Sequence, residues 1–392
     1  MLHELNPFRP GAGVRPPELV GRQPEIDLVD LMVAKSRVKR NDGGLIIYGL
    51  RGVGKTVLLN ELHRNVERAG WVTIQFEARP GSAGPIAARQ SLGRGVAMAG
   101  RRMTRFRSAV EDVRTAVSTV SSFALTIAGV SLNLGVAPSD HRANSGLIEV
   151  DLEELVADLA GPLQKNQSAL AIFVDEMQDL DADLLTALLA VQHKATQSDW
   201  PFYVIGAGLP TLRRTMAEAR SYSERFALHE VGALTHDSAI EALEKPAREL
   251  GARFTRDALE EIVRESQGYP FFLQTYGKAV WDITPDRNID IDVAVAGIAE
   301  GNADLDQGFF PARWDRTTPA ERQYLRAIVD VGGSTASTAA VAEHLGVAAA
   351  SVSPARQSLI EKGIIYAERR GYVSFTVPNM DRFILRQPDA DS

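Results

Sequence analysis

The sequence contains no cysteine, so the chain can form neither disulfides nor thiolate-based sites. This absence suits a cytoplasmic protein, and that is the location we expect. A large excess of one charge is missing too, because the formal net charge is −7 over 392 residues. The overall charge therefore does not indicate nucleic-acid binding, and any contact with DNA has to come from a local patch.

Long apolar runs are also missing, and one uncharged stretch, residues 116–138, needs a closer look. Serine, threonine, asparagine and glycine interrupt it, so we do not expect a membrane span. We predict two short strands around a turn instead, at residues 123–127 and 130–134. The first 17 residues hold four prolines and lack the apolar core of a signal peptide.

A glycine-rich loop stands between a short apolar run and a helical pattern. Its sequence is Gly49-Leu50-Arg51-Gly52-Val53-Gly54-Lys55-Thr56, and the helix continues from Val57. Glycine lets backbone N–H groups approach phosphate oxygens closely, so this phosphate loop predicts a nucleotide site, and a turn that binds nothing is the alternative. Lys55 would reach the β- and γ-phosphates, and the Thr56 hydroxyl would hold Mg²⁺.

Two adjacent carboxylates follow a second apolar run. Residues 170–174 are all apolar, and Asp175 and Glu176 come next. In an open α/β sheet this places both acids at the carboxyl edge, where ligands bind. Asp175 would hold Mg²⁺ through its water shell, and Glu176 would orient and deprotonate the attacking water. An acidic cluster at a helix N-terminus is the alternative, and the nearby Gln178 receives no role.

Two further elements are candidates for contact with the nucleotide, and each has an alternative interpretation. Val20-Gly21-Arg22 precedes the phosphate loop, and we predict that it lies over the adenine; a plain helix-entry turn is the alternative. Arg225 follows residues 221–224 and precedes a predicted strand at residues 227–231. It would enter the nucleotide site of a neighbouring subunit, or else pair with a local carboxylate.

The order of patterns predicts an α/β fold with several parts. Strand, helix and strand in succession indicate a parallel sheet covered by helices. We predict a P-loop NTPase core at residues 16–234, preceded by an N-terminal arm at residues 1–15. A wholly helical segment is predicted at residues 235–312 and a winged helix-turn-helix at residues 313–392. The capping box Thr318-Pro319-Ala320-Glu321 marks the first helix of that module.

Residues 79–142 interrupt the sheet pattern and form an arginine-rich segment. They hold nine arginines against three acidic residues. This segment is our candidate for a surface that faces a polyanion or a partner, and a solvated helical face is the alternative. In the winged helix, Arg356 and Gln357 could read bases, and Arg369 and Arg370 could touch phosphate. DNA binding and docking of a protein both remain open.

The motifs occur in an order that resembles a known family. That order is Val20-Gly21-Arg22, the phosphate loop, Val174-Asp175-Glu176, Gly206-Ala207-Gly208-Leu209-Pro210, Gly268-Tyr269-Pro270 and the winged helix. It resembles the archaeal-type ATPases of the AAA+/STAND group, which are related to archaeal origin-recognition ATPases. The resemblance implies a core of the AAA+/ASCE type and a helical lid at residues 235–312. It also implies that Pro270 packs near the adenine and that nucleotide state repositions the winged helix.

One strand departs from the pattern of these ATPases. In many of them a strand between the loop strand and the Asp-Glu strand ends in Asn, Ser or Thr near the γ-phosphate. Here residues 201–205 lead into Gly206 and Ala207, which offer no polar side chain. We therefore expect slow hydrolysis.

Together these features predict an Mg²⁺-dependent ATP-binding switch. We expect Lys55, Glu176 and Arg225 to be catalytic, and Thr56 and Asp175 to hold the metal. We also expect a homo-oligomer with no membrane contact, whose winged helix binds double-stranded DNA. A signalling or defence scaffold with a protein partner is the alternative.

Overall fold

The computed structural model describes residues 3–103, 110–129, 137–219, 225–367 and 369–388. The chain divides into two compact units. The sheet unit comprises residues 22–49 and 55–231, and the helical unit comprises residues 1–21, 50–54 and 232–392. In the ranges just given, no helix has both the length and the apolar character needed to cross a membrane.

The sheet unit is built on a five-stranded parallel sheet in the order β2-β3-β4-β1-β5. The central strands β1, β3 and β4 are buried almost throughout, because a parallel sheet is covered on both faces. β4 lies between β1 and β3, which confirms the position predicted for it. The strands are β1 (Gly44–Tyr48), β2 (Val72–Glu77), β3 (Leu170–Asp175), β4 (Phe202–Gly208) and β5 (Phe226–Glu230).

The strand register brings three chain segments to one edge of the sheet. Tyr48 pairs with Gly208, and Val174 pairs with Gly206. The residues that follow β1 and β3 therefore leave the sheet at its carboxyl edge on either side of the end of β4. This is where the phosphate loop begins and where the acidic pair lies.

Helices cover the sheet through apolar faces. In α2 the buried residues include Leu58, Leu59, Leu62 and Val66, which recur at helical spacing. The helices of this unit are α1 (Gln23–Arg37), α2 (Lys55–Arg68), α3 (Gly84–Met103), α4 (Val110–Ala128), α5 (Ile148–Lys165), α6 (Ala182–Gln197) and α7 (Leu212–Ala219).

The strand predicted at residues 123–127 is wrong, because these residues lie in α4. Ala116, Val120 and Phe123 are buried at helical spacing in a core cluster with residues of α3 and α5. The polar residues that suggested strands and a turn make hydrogen bonds along the helix, as Ser121 does to the Val117 carbonyl at 3.0 Å. The second predicted strand, residues 130–134, lies outside the described residues.

The helical unit begins with the N-terminal segment and continues after residue 231. Phe8 is buried, and its ring packs edge-on against Trp281 at 6.4 Å between centroids. A two-stranded parallel sheet, β6 (Arg253–Phe254) and β7 (Asn288–Ile289), joins the ends of helices. These helices are α8 (His236–Glu249), α9 (Arg256–Ser266), α10 (Pro270–Ile283) and α11 (Ile291–Asp304).

The end of the chain continues the same hydrophobic core. Thr318 and Glu321 form the predicted capping box, which is confirmed. Phe310 stacks on Phe383 with centroids 5.2 Å apart, so the last helix packs on the residues that follow α11. The remaining elements are a π-helical turn (Leu305–Phe309), α12 (Pro311–Trp314), α13 (Pro319–Gly332), β8 (Thr335–Ser337), α14 (Thr338–His344), α15 (Ser353–Glu361), β9 (Ile365–Tyr366), β10 (Tyr372–Phe375) and α16 (Met380–Leu385), with an antiparallel sheet in the order β8-β10-β9.

Candidate nucleotide-binding site

The phosphate loop depends on glycine for its backbone shape. Gly52 and Gly54 have φ angles of +85° and +90°, a region that side-chain-bearing residues rarely adopt. At the start of the loop, the Gly49 N–H donates to the Gly208 carbonyl at 3.1 Å, which ties the loop to the end of β4. The loop therefore leaves the carboxyl edge of the sheet in a fixed direction and ends at Lys55, the first residue of α2.

Lys55, Thr56 and Asp175 converge at this edge. Lys55 is 8% exposed, and the Thr56 hydroxyl makes a hydrogen bond with the Asp175 carboxyl. Burial raises the pKa of Asp175 above its ordinary value, and repulsion from Glu176 adds to this. The Thr56 hydroxyl, the Glu176 N–H and the charge of Lys55 act in the opposite direction without cancelling it. The site thus holds a carboxyl group that a further cation would stabilise.

An Mg²⁺ ion fits this donor set. Mg²⁺ is usually held by one or two protein oxygens together with water and substrate phosphates. Thr56 and Asp175 offer oxygens of this kind, already in contact with each other. Across the described residues, no group of three or more His, Asp or Glu side chains could hold a metal alone, so a dedicated all-protein cage is not built there.

Glu176 is positioned by a residue to which the sequence assigned no role. Glu176 has a left-handed backbone, with φ at 48°, and its Oε2 accepts a hydrogen bond from Gln178 Nε2 at 2.7 Å. The other end of the same amide, Gln178 Oε1, accepts from the Leu209 N–H at 3.0 Å. Gln178 therefore links the acid to the end of β4. In the sequence, the position of Gln178 two residues after Glu176 is the feature that could have indicated this role.

Close packing accounts for the small residues at the end of β4. A Cβ added at Gly206 would lie 2.4 Å from Met177 Sδ, and one added at Gly208 would lie 2.7 Å from Gln178 Oε1. A side chain at Gly206 or Gly208 would therefore require these neighbouring side chains to move. The amide of Gln178 is the polar group that lies at this point instead.

Arg225 lies away from this edge. It directly precedes β5, whose first residue Phe226 pairs with Gly44, the first residue of β1. It therefore lies at the amino edge, about 15 Å along the strands from the carboxyl edge. Its exposed side chain lies near His193, whose pKa is lowered by burial and then by the Arg225 charge. No carboxylate pairs with it within the described residues, and residues 221–224 lie outside them; the predicted role in a neighbouring subunit stays a prediction.

The Val20-Gly21-Arg22 element packs tightly at a helix entry. Gly21 has a φ of +68°, and a Cβ there would lie 2.9 Å from Ser238 Oγ. Arg22 is buried; its pKa is lowered by that burial, while the charge of Glu25 acts in the opposite direction. Val20 is half-buried. Contact of this element with adenine stays a prediction.

Pro270 begins α10 beside the phosphate loop. The N–H of the next residue, Phe271, donates to the Gly52 carbonyl at 3.3 Å. A Cβ on Gly52 would lie 3.6 Å from Phe271 Cβ and 3.9 Å from Tyr269 Cδ1. The start of α10 therefore contacts the loop that precedes α2 through Phe271. Packing of Pro270 near the adenine stays a prediction.

Residues 18–205 match the family described as the AAA ATPase domain. The Walker-type ATPase of Pyrococcus abyssi has a similar structure, with a TM-score of 0.60 at 17% identity over 97% of this chain and 99% of that one. The predicted P-loop NTPase fold and the resemblance to archaeal ATPases are thus confirmed at the level of the fold.

Further matches include residues outside this stretch. Residues 307–384 match a domain of unknown function (DUF8462). The Orc1 protein of Aeropyrum pernix, solved in complex with DNA, aligns with a TM-score of 0.45 at 16% identity, over 96% of this chain and 95% of that one. The RuvB Holliday junction branch migration motor of Thermotoga maritima gives the same TM-score and identity, over 96% and 100% of the two chains. A search of curated proteins gives no match.

Several arginines of the arginine-rich segment, which lies within the stretch that matches the AAA ATPase domain, pair with carboxylates of the fold. Arg89 lies 2.7 Å from Asp181. Arg142 lies 2.6 Å from Asp158 and 3.3 Å from Glu154, and the hydrogen bond with Asp158 is the main cause that raises the pKa of Arg142. Arg102 lies 3.3 Å from Glu67. Arg105 and Arg107 lie outside the described residues.

Proposed function

We propose that this protein is a molecular switch that binds Mg·ATP and hydrolyses it slowly. The convergence of Lys55, Thr56 and Asp175 at the carboxyl edge of the sheet carries this proposal. A buried carboxyl group with a raised pKa is costly for the fold, and such groups are typical of sites that bind a ligand. The match of residues 18–205 to the AAA ATPase domain supports an adenine nucleotide as that ligand.

Each residue of the site has a separate role in this proposal. Backbone N–H groups of the phosphate loop and the Lys55 ammonium bind the β- and γ-phosphates. Thr56 and Asp175 hold Mg²⁺, which when bound neutralises charge on the transferred phosphoryl group. Glu176, oriented by Gln178, accepts a proton from the attacking water. Val57 continues the first turn of α2, whose N-terminus favours negative charge.

Arg225 acts between subunits in this proposal. At the amino edge it is too distant for the carboxyl edge of its own sheet, so it would stabilise transition-state charge in a neighbouring copy. The protein would then hydrolyse ATP as a homo-oligomer, with turnover that rises with protein concentration.

The output module is the C-terminal part of the helical unit, which we assign as a winged helix that binds double-stranded DNA. Helices α13, α14 and α15 with the β9–β10 hairpin support this assignment. Gln357 on α15 is exposed, and Arg369 at the hairpin lies 3.8 Å over the Tyr372 ring. Docking of a protein is the second candidate, favoured by the pairing of Arg89, Arg102 and Arg142 within the fold.

A nucleotide titration tests the central proposal. Wild type should bind a fluorescent ATP analogue saturably with Mg²⁺, and Lys55→Ala should weaken this binding at least about 100-fold, because charge-assisted bonds to phosphate are lost. The matched control is Lys194→Ala, at an exposed lysine in the last turn of α6, which should bind like wild type. No saturable binding by wild type, or equal binding by the Lys55 variant, would refute the proposal.

The output is tested by anisotropy with labelled duplex DNA at several salt concentrations. DNA binding should weaken steeply with salt, because phosphate contacts release counterions. Absence of binding at low salt would reject DNA and leave the protein partner as the output.

A further inference from the structure

The acidic pair is joined to α6 by the short segment 177–181. A 3₁₀ turn (Met177–Asp179) begins directly after Glu176, the base of the proposed reaction. Gln178 ties this turn to the end of β4 by a hydrogen bond. The segment ends at Asp181, the residue that caps α6. The orientation of Glu176 therefore depends on how both ends of this segment are held.

The end of the segment at α6 is held by an arginine of the arginine-rich segment. Arg89, near the start of α3, donates from Nη2 to Asp181 Oδ1 at 2.7 Å. The same Oδ1 accepts the Leu184 N–H at 3.1 Å, which is the bond that caps α6. The Asp181 side chain is only 16% exposed, so this ion pair is partly shielded from water. Arg89 therefore binds the point at which the segment from Glu176 turns into α6.

The pairing of Arg89 with Asp181 is only half complete. A guanidinium and a carboxylate can form two parallel hydrogen bonds. Arg89 Nε and Asp181 Oδ2 are both buried, and neither has a hydrogen-bond partner within the residues that the structure describes. A buried donor or acceptor left in this way destabilises a fold and calls for an explanation. Asp181 thus has the orientation that caps α6, and Arg89 accepts that orientation at the expense of its second bond.

We propose that Arg89 is a positioning residue for ATP hydrolysis, which acts through Asp181 on Glu176. This inference rests on the proposed function and adds a residue to it. Glu176 has a left-handed backbone, with φ at 48°, and such a conformation persists only where its neighbours hold it. Gln178 holds the segment from β4, and Arg89 holds it from α3. Loss of Arg89 would remove the second of these contacts and give the Glu176 carboxylate more freedom relative to the attacking water.

The test measures kcat and KM for ATP with Mg²⁺, together with nucleotide affinity, in wild type and Arg89→Gln. Turnover should fall about tenfold, because a base that is poorly oriented is less efficient, while KM and affinity should stay within about threefold. Arg89→Lys can still make the single charged bond to Asp181 and should restore most of the turnover.

Two controls remove charges that lie close to this pair or belong to the same segment. Arg142→Gln breaks an ion pair between the arginine-rich segment and α5, so it should lower stability without lowering turnover. Asp183 is 81% exposed and lies 3.6 Å from Arg89, so Asp183→Asn should hydrolyse ATP like wild type.

A double-variant cycle tests the route through Asp181. Asp181→Ser removes the carboxylate but keeps a residue type that caps helices well, so its turnover should fall as in Arg89→Gln. Because both changes break one contact, the double variant should show no further loss.

Each other result would overturn the inference. Unchanged turnover in Arg89→Gln, with a lower thermal midpoint, would mean that Arg89 only stabilises the fold. An equal loss of turnover in Arg142→Gln would mean a general effect of stability, and losses that add in the double variant would exclude the route through Asp181. If Arg89→Gln fails to fold, normal turnover in Asp181→Ser would reject the role. Failure of the proposed function looks different, because wild type would then release no phosphate from ATP, and the inference would fall with it.

Discussion

At the carboxyl edge of the sheet, Lys55, Thr56 and Asp175 lie together, and burial leaves the acid with a raised pKa. In the arginine-rich segment, by contrast, Arg89 and Arg142 each contact a carboxylate of another element. The sequence makes both regions candidates for binding, the first through its glycine-rich loop and acidic pair and the second through its excess of arginine. In the first region burial disfavours the charged form of Asp175, whereas in the second region three arginines form ion pairs with carboxylates of the fold.

The difference shows that a count of charges is a weaker sign of function than their arrangement. Surface ion pairs contribute little individually, but they occupy groups that could otherwise bind a partner. A charged group whose burial raises the free energy of the folded protein points to a ligand instead. The following variants test whether the two regions differ in this way.

The largest effect is expected for Glu176→Gln. The amide cannot accept the proton from water, so ATP turnover should fall about 100-fold or more while Mg·ATP affinity stays within about threefold. Phosphate release measured at saturating ATP, together with nucleotide titration, checks this. Glu153→Gln, at a half-buried acid on α5, is the control for the loss of one negative charge. Equal turnover in wild type and the Glu176 variant would leave a nucleotide-binding protein without hydrolysis.

A smaller effect is expected for Asp175→Asn, which should stabilise the folded protein when no nucleotide is bound. The folded pKa of Asp175 lies above its unfolded value, so the folded state binds this proton more tightly and stability falls as pH rises through the interval between the two values. Without nucleotide the variant should therefore be more stable by about 1 kcal/mol at pH 7, and less so near pH 4.

Urea unfolding at several pH values measures this difference. The exposed Asp30 on α1 supplies the control Asp30→Asn, which should match wild type throughout. A destabilised Asp175 variant at pH 7, or a gain that does not depend on pH, would show that the carboxylate is well satisfied by its own fold.

The smallest effect is expected for Arg142→Ala. Its side chain is 40% exposed and bonds Asp158 through two nitrogen atoms, so the free energy of unfolding should drop by about 1 kcal/mol. Nucleotide affinity should not change. Arg94→Ala removes an exposed arginine from the same segment and should leave stability as it is. If the Arg142 variant instead kept its stability and lost affinity for DNA, the segment would be an interface after all.

Local sequence was enough for much of the sheet unit. The phosphate loop, and in the helical unit the capping box of α13, follow from glycine chemistry and cap residues that act within a few positions. The two-strand prediction for residues 116–138 failed at residues 123–127 because hydroxyl groups were taken as turn signals. In α4 those groups bond to the preceding helical turn, and the buried residues follow a helical period.

The sequence by itself determined the chemistry of the loop and the class of the fold, because both depend on residues that are neighbours in the chain. Only the tertiary structure decided which groups keep charge or hydrogen-bonding capacity for a ligand. Gln178 contacts both Glu176 and the end of β4, and Arg142 pairs with carboxylates of α5. Such pairings depend on the packing of distant segments, and no local pattern of residues specifies them.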